Sequence, residues 1–208
     1  MAKAAIITDS MLSQMDDFQQ HYFKTSLKLE SLHIYPFPGK TANFILTDPF
    51  IIRLLEQNQF DFVFIAAGQN DTSKSLSAES IISGKSAEFI ATNIMNGLTP
   101  TILSMTAAFP NTSFVFLPLT LRVPCKKKKT RFPQSKNPDY ICKINEILAS
   151  LVTQLLELHI PNFLFVEGPK LWNDPETLLH ADGIHMTEAG IEEYLILSLT
   201  EMKRHFNV

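Results

Sequence analysis

The feature that most constrains this chain is an alternation: short apolar runs rich in β-branched and aromatic residues, each followed by a longer stretch with helical spacing. An apolar run without polar interruption is buried on both faces, the condition of a strand inside a parallel sheet. The pattern predicts strands over 4–8, 32–35, 60–67, 113–117 and 163–166. Between them it predicts helices over 11–24, from Asp48-Pro49 onward, over 78–109 with a break near Gly97 or Pro100, and over 140–159. A closing helix is expected over 187–205, with Thr187 as its N-cap. Strands alternating with helices imply a three-layer α/β/α domain around a parallel five-stranded sheet. Functional groups of such a domain are expected beyond the C-terminal ends of the strands.

The 208 residues suit one domain spanning 1–208. With 45% apolar residues, a chain of this length buries roughly 70% of its unfolded surface and needs no disulfide or metal to hold it. A net charge of −3 argues against a surface built throughout to grip nucleic acid. Cys125 and Cys142 form no zinc pattern and read as two reduced thiols. The apolar run at the N-terminus is too short for a signal peptide, and no stretch of ~18 apolar residues occurs elsewhere. The expectation is an intracellular, soluble protein. Strand-like residues beginning almost at Met1 suggest a domain taken from a longer chain.

Four polar segments break the apolar pattern where chemistry is expected. Thr8-Asp9-Ser10 follows the first strand, so the Ser10 hydroxyl sits at a strand-to-helix turn beside backbone N–H groups. An ordinary N-cap reads the same way. Pro36-Phe37-Pro38-Gly39-Lys40 follows the second strand, and Gly39 lets the backbone approach a ligand or simply turn. Gly68-Gln69-Asn70-Asp71 follows the third, where Asn70 offers an amide donor or forms an Asn-Asp turn. In Asp182-Gly183-Ile184-His185 a carboxylate and an imidazole stand three residues apart across a turn. One imidazole nitrogen meets the acid and the other is left to act as base.

Taken in order, Asp9-Ser10, Gly39, Gly68-x-Asn70-Asp71 and Asp182-x-x-His185 resemble the four blocks of the SGNH (GDSL-type) hydrolase family, over residues 4 to about 200. The resemblance implies a flavodoxin-like sheet, Ser10 as nucleophile, His185 as general base and Asp182 as its orienter. It implies an oxyanion hole from the Ser10 and Gly39 N–H groups and the Asn70 side chain. Thr8 departs from the family pattern, which usually has glycine there, and a β-branched residue would narrow the turn. The wording Phe37-Pro38-Gly39 and Asp182-Gly183-Ile184-His185 is similar to the esterase domains of LINE-type retrotransposon first-frame proteins. The C-terminal domain of the insect germ-plasm protein Oskar is a relative in fold that binds RNA without the chemistry. Retention of every triad residue here favours activity.

The implied function is hydrolysis of small or short-chain carboxylic esters through an acyl-serine, with no cofactor. The rival is an idle domain binding RNA or an anionic membrane through Arg122, Lys126, Lys127, Lys128, Lys129 and Arg131. These put six positive charges within ten residues, and the bland alternative is a solvated, flexible loop. His180 beside Asp182 and His185 lacks the further ligands of a metal site. His21, His33, His159 and His205 read as bystanders, and Trp172 either lines the cleft or plugs the core.

Overall fold

The computed structural model describes residues 2–13, 15–76, 84–130, 133–168 and 174–207. Five strands form one parallel sheet: β1 (Ala2–Thr8), β2 (Leu29–Pro36), β3 (Phe62–Ala66), β4 (Ser113–Phe116) and β5 (Phe163–Phe165), in the order β2-β1-β3-β4-β5. The side-chain period of two splits each strand between two cores. Ala5, Ile7, Val63, Ile65, Phe114 and Phe116 face one layer of helices, α2 (Ala42–Leu46), α3 (Pro49–Asn58), α5 (Ala87–Ala108) and α6 (Pro138–Leu156). Ala4, Ile6, Phe64, Ala66, Val115 and Leu117 face the other, built from α1 (Asp17–Ser26) and α8 (Glu188–Phe206). These strand residues are all at most 2% exposed, which explains the unbroken apolar runs.

The chain leaves β1 for β2 on one side and returns past it to β3, β4 and β5 on the other. Right-handed crossovers send helices of opposite directions to opposite faces, so the polarity switches between β1 and β3. A crevice opens there at the strands' C-terminal ends. Thr8-Asp9-Ser10 and Gly68-Gln69-Asn70 both lie at that point.

Two helices differ from the sequence expectation. The one expected over 11–24 starts only at Asp17, because Asp16 caps it in a reciprocal box with Gln19. Ahead of it, the Met11 and Leu12 N–H groups are taken by Asp9 and Thr8 side chains, which hold the chain in bends. The helix expected over 78–109 begins after Ser86, its N-cap, with 77–83 outside the described residues. It runs through Gly97 and Pro100 unbroken; the carbonyl that Pro100 leaves unpaired belongs to Asn96, at the exposed face. Short helices α2, α4 (Gln69–Ser75) and α7 (Pro175–Leu178) add to the pattern. No helix among the described residues is long and apolar enough to cross a membrane.

Candidate active site

At the end of β1, the Asp9 N–H donates to the Ala66 carbonyl (2.9 Å), tying the first polar segment to the third. Thr8 does not crowd this turn. Its φ is not positive, so nothing there requires glycine, and its hydroxyl accepts the Leu12 N–H (3.1 Å) and donates to the Asp9 carbonyl (3.2 Å). The Asp9 side chain is fully buried, with Oδ1 accepting the Met11 N–H (2.9 Å) and Oδ2 the Asn70 amide (3.3 Å). Burial pushes its carboxyl up to about 6, although the Met11 N–H and the nearby Arg122 and His185 charges oppose the rise. Ser10 is half-buried beside it, and the Ser10 N–H donates no hydrogen bond among the described residues.

Gly68 caps α4 at a φ of 115°, so Gly68-Gln69-Asn70-Asp71 is the opening turn of a helix rather than an Asn-Asp turn. A side chain at 68 would meet Leu119 at 2.9 Å. From α4, the Asn70 amide reaches the Lys40 carbonyl (3.1 Å), the Lys74 ammonium the Gly39 carbonyl (2.7 Å), and the Asp71 carboxylate accepts the Ala42 N–H (2.8 Å). Burial raises the Asp71 carboxyl to about 6 against that N–H. Gly39 stands at a φ of 74° with open space where a side chain would be, and its N–H has no partner among the described residues. The second and third segments are thus one assembly, with Ser10 next to it.

The fourth segment is a tight turn. Asp182 Oδ1 accepts the Ile184 and His185 N–H groups (3.0 Å each), while Oδ2 faces His185 Nδ1 at 3.2 Å. Partial burial pushes the Asp182 carboxyl up, but the backbone N–H groups, the imidazole and the Lys127 ammonium outweigh it and hold the group well below the usual carboxylate range. Asp182 therefore stays ionised, and with Nδ1 turned to the acid, His185 Nε2 has no hydrogen-bond partner among the described residues. His185 lies close enough to the end of β1 for its charge to act on Asp9, the neighbour of Ser10. No hydrogen bond joins the Ser10 hydroxyl to His185.

The basic segment departs from the sequence expectation. Arg122 does not offer its charge to a partner outside: it is 6% exposed, and its guanidinium donates to the Gln69 carbonyl (2.6 Å). Its own N–H and carbonyl pair with Asn145. Buried Arg122 Nε and Gln69 Oε1 have no partner among the described residues. Nor is the segment a free loop. Val123 N–H donates to the Gly183 carbonyl (3.1 Å) and Lys126 N–H to the Ala181 carbonyl (2.8 Å), so it straps the Asp182 turn. Lys126 pairs with Glu176 (3.3 Å) and Lys127 with Asp182 (3.1 Å), while Lys128 and Lys129 are exposed. Arg131 and Trp172 lie outside the described residues. Cys125 is buried and Cys142 exposed, both as free thiols. Among the described residues, no group of three or more His, Cys, Asp or Glu is set to hold a metal.

Sequence reasoning gave no separate role to Asp9, Asp71 or Lys127. The two carboxylates stood in polar breaks after buried strands, a usable signal, whereas nothing in the sequence couples 127 to 182.

No family model matches the chain, and comparison with curated proteins gives no match. Solved structures do resemble it. The lipase Lip_vut3 from a goat rumen metagenome superposes with a TM-score of 0.65 at 14% identity, covering 99% of this chain and 97% of that one. The psychrotrophic esterase EstA from Pseudoalteromonas sp. gives 0.58 at 13%, over 100% of both chains. The lipase/acylhydrolase from Enterococcus faecalis gives 0.59 at 14%, over 98% and 96%. At such identities what is shared is the fold, and that fold is the SGNH-hydrolase α/β/α sandwich.

Proposed function

We propose that the protein is a serine esterase of the SGNH-hydrolase family, hydrolysing small or short-chain carboxylic esters through an acyl-Ser10 intermediate. The observation that carries the reading is the Asp182–His185 pair, an ionised carboxylate 3.2 Å from Nδ1, at the end of the sheet that also holds Ser10, Gly39 and Asn70. Solved lipases and esterases of the same fold support it.

In this reading Ser10 Oγ attacks the ester carbonyl carbon as His185 Nε2 takes its proton, and Asp182 stabilises the imidazolium. The Ser10 and Gly39 N–H groups, both without partners among the described residues, receive the oxyanion. Asn70 joins them by giving up its longer contact, 3.3 Å to Asp9, and keeping the one to Lys40. The tetrahedral adduct collapses, His185 protonates the departing alcohol, and water activated by His185 then releases the acid. No cofactor takes part in these steps.

Within the family, the likeness to LINE-type retrotransposon esterase domains rests only on the wording of two segments, and the retained triad favours chemistry over an Oskar-like idle role. Binding of RNA or an anionic membrane is the lesser proposal, since Arg122 is buried and Lys126 and Lys127 already face acids.

The test pairs a fluorophosphonate probe with a chain-length series of activated esters. Stoichiometric labelling of the native protein, none of Ser10→Ala, and fastest turnover of short acyl chains are expected. Absence of both labelling and turnover in the native protein overturns the reading.

A further inference from the structure

In a Ser-His-Asp arrangement the acid orients the imidazole and stabilises the imidazolium that forms. Here the oxygen that faces the imidazole is shared. Asp182 Oδ2 lies 3.2 Å from His185 Nδ1 and 3.1 Å from the Lys127 ammonium, while Oδ1 is occupied by two backbone N–H groups. We infer that Lys127 is a positioning residue for the acid–base pair: it holds Asp182 Oδ2 in place and offsets part of the charge that His185 feels. The inference rests on the reading of His185 as general base.

Lys127 does not reach Asp182 from a wandering loop. The strap is fixed behind it by the Val123–Gly183 and Lys126–Ala181 backbone hydrogen bonds and by buried Arg122, and Lys126 is turned away to Glu176. Among the described residues, three charged side chains bear on the imidazole. Asp182 comes from its own turn, Lys127 acts through Asp182, and Asp9 approaches from the end of β1, itself beside Arg122. A cation next to the acid disfavours the imidazolium that forms when His185 takes up a proton. The same cation weakens the stabilisation of the imidazolium formed during reaction. Removing it therefore moves the acidic limb of kcat/KM upward while the plateau rises or holds. A side chain that merely stiffened the turn would lower the plateau and leave the limb in place.

The Lys127 side chain is 52% exposed, so the effect has the scale of a solvent-screened pair, a shift of roughly 0.2–0.7 pH unit. The experiment follows the imidazole resonances of the full-length, isotope-labelled protein by NMR against pH, with kcat/KM on an activated acetate ester measured in parallel. Lys127→Gln should raise the His185 midpoint and the acidic limb by that amount, Lys127→Glu by more, and Lys127→Arg should restore the native midpoint. Lys128→Gln makes the same charge change at a neighbour that gives Asp182 no hydrogen bond, and should shift it by less than half as much. A midpoint that moves equally in the Lys127→Gln and Lys128→Gln proteins overturns the inference. A specific NMR shift without ester turnover supports the contact and sinks the esterase reading, whereas turnover without a specific shift sinks the inference alone.

Discussion

Gly183→Ala strikes the seam between the basic strap and the Asp182 turn. Gly183 stands at a φ of 74°, and its new Cβ would lie 1.9 Å from the Val123 carbonyl oxygen and 2.9 Å from its carbon. Holding a Cβ in the left-handed region costs about 1–2 kcal/mol. Relieving the clash needs a retreat of roughly 1.5 Å by backbone rather than by a side-chain tip, which breaks the Val123–Gly183 hydrogen bond and forfeits about another 0.5–1.5 kcal/mol. The expected loss is about 1.5–3.5 kcal/mol, or roughly 3–14 °C in Tm for a chain of this size. Gly39→Ala supplies the control, with the same φ and open space around the added carbon, so it bears the conformational cost alone. Urea unfolding followed by circular dichroism gives the two losses, and their difference isolates the steric part. Because Asp182 precedes Gly183, ester turnover well below the melting range should fall by at least about tenfold as the acid leaves its place. A Gly183→Ala protein no less stable than Gly39→Ala, with turnover within twofold of native, would refute the idea that the strap and the turn are one unit.

Two further outcomes follow from the site. Asn70→Ala should fold and lose roughly 10²–10³ in kcat, the usual effect of deleting one oxyanion donor; an unchanged rate returns Asn70 to a purely structural role. Stability should fall as pH rises between about 4 and 6, because Asp9 and Asp71 bind their protons more tightly when folded, with values of about 6, than in an unfolded chain near 3.8. Each group contributes up to about 3 kcal/mol below 3.8 that is gone above 6, and Asp182, held low, acts oppositely by losing its contribution as pH falls below the unfolded value. Urea midpoints across pH 3–8 read the slope, Asp9→Asn should flatten it, and a flat native profile would show that the two carboxyls are not desolvated as their burial implies.

What was legible in the sequence was whatever burial on both faces writes into it. Residues 60–67 and 113–117 announced central strands because neither face of β3 or β4 meets water. The first and third polar segments stood out because each interrupts such a run at the rim of the sheet. The onset of α1 was misread because apolar Met11, Leu12 and Met15 have helical spacing yet serve the second core from a stretch of bends. The Met11 and Leu12 N–H groups were claimed by the Asp9 and Thr8 side chains, a competition that periodicity does not register. The opening turn of α4 was hidden for a related reason, since Gly68 at positive φ reads locally as a loop.

The basic segment shows where local reading ends. Six positive charges within ten residues look the same whether they meet solvent, an anionic partner or the protein itself, and only tertiary placement decides among these. Arg122 finds Gln69 across 53 residues, and Lys127 finds Asp182 across 55. Those contacts fall on opposite halves of the site, one behind the turn that carries Asn70 and the other on Asp182, which faces His185 Nδ1 at 3.2 Å. A segment of six residues thus spans from the Asn70 turn to the Asp182–His185 turn, stitched to the second by two backbone hydrogen bonds. Three of the six charges meet groups of the protein itself: Arg122 the Gln69 carbonyl, Lys126 the Glu176 carboxylate and Lys127 that of Asp182. Lys128 and Lys129 have no acid facing them among the described residues. Both are exposed to an external anion, one and two residues beyond the Lys127–Asp182 contact.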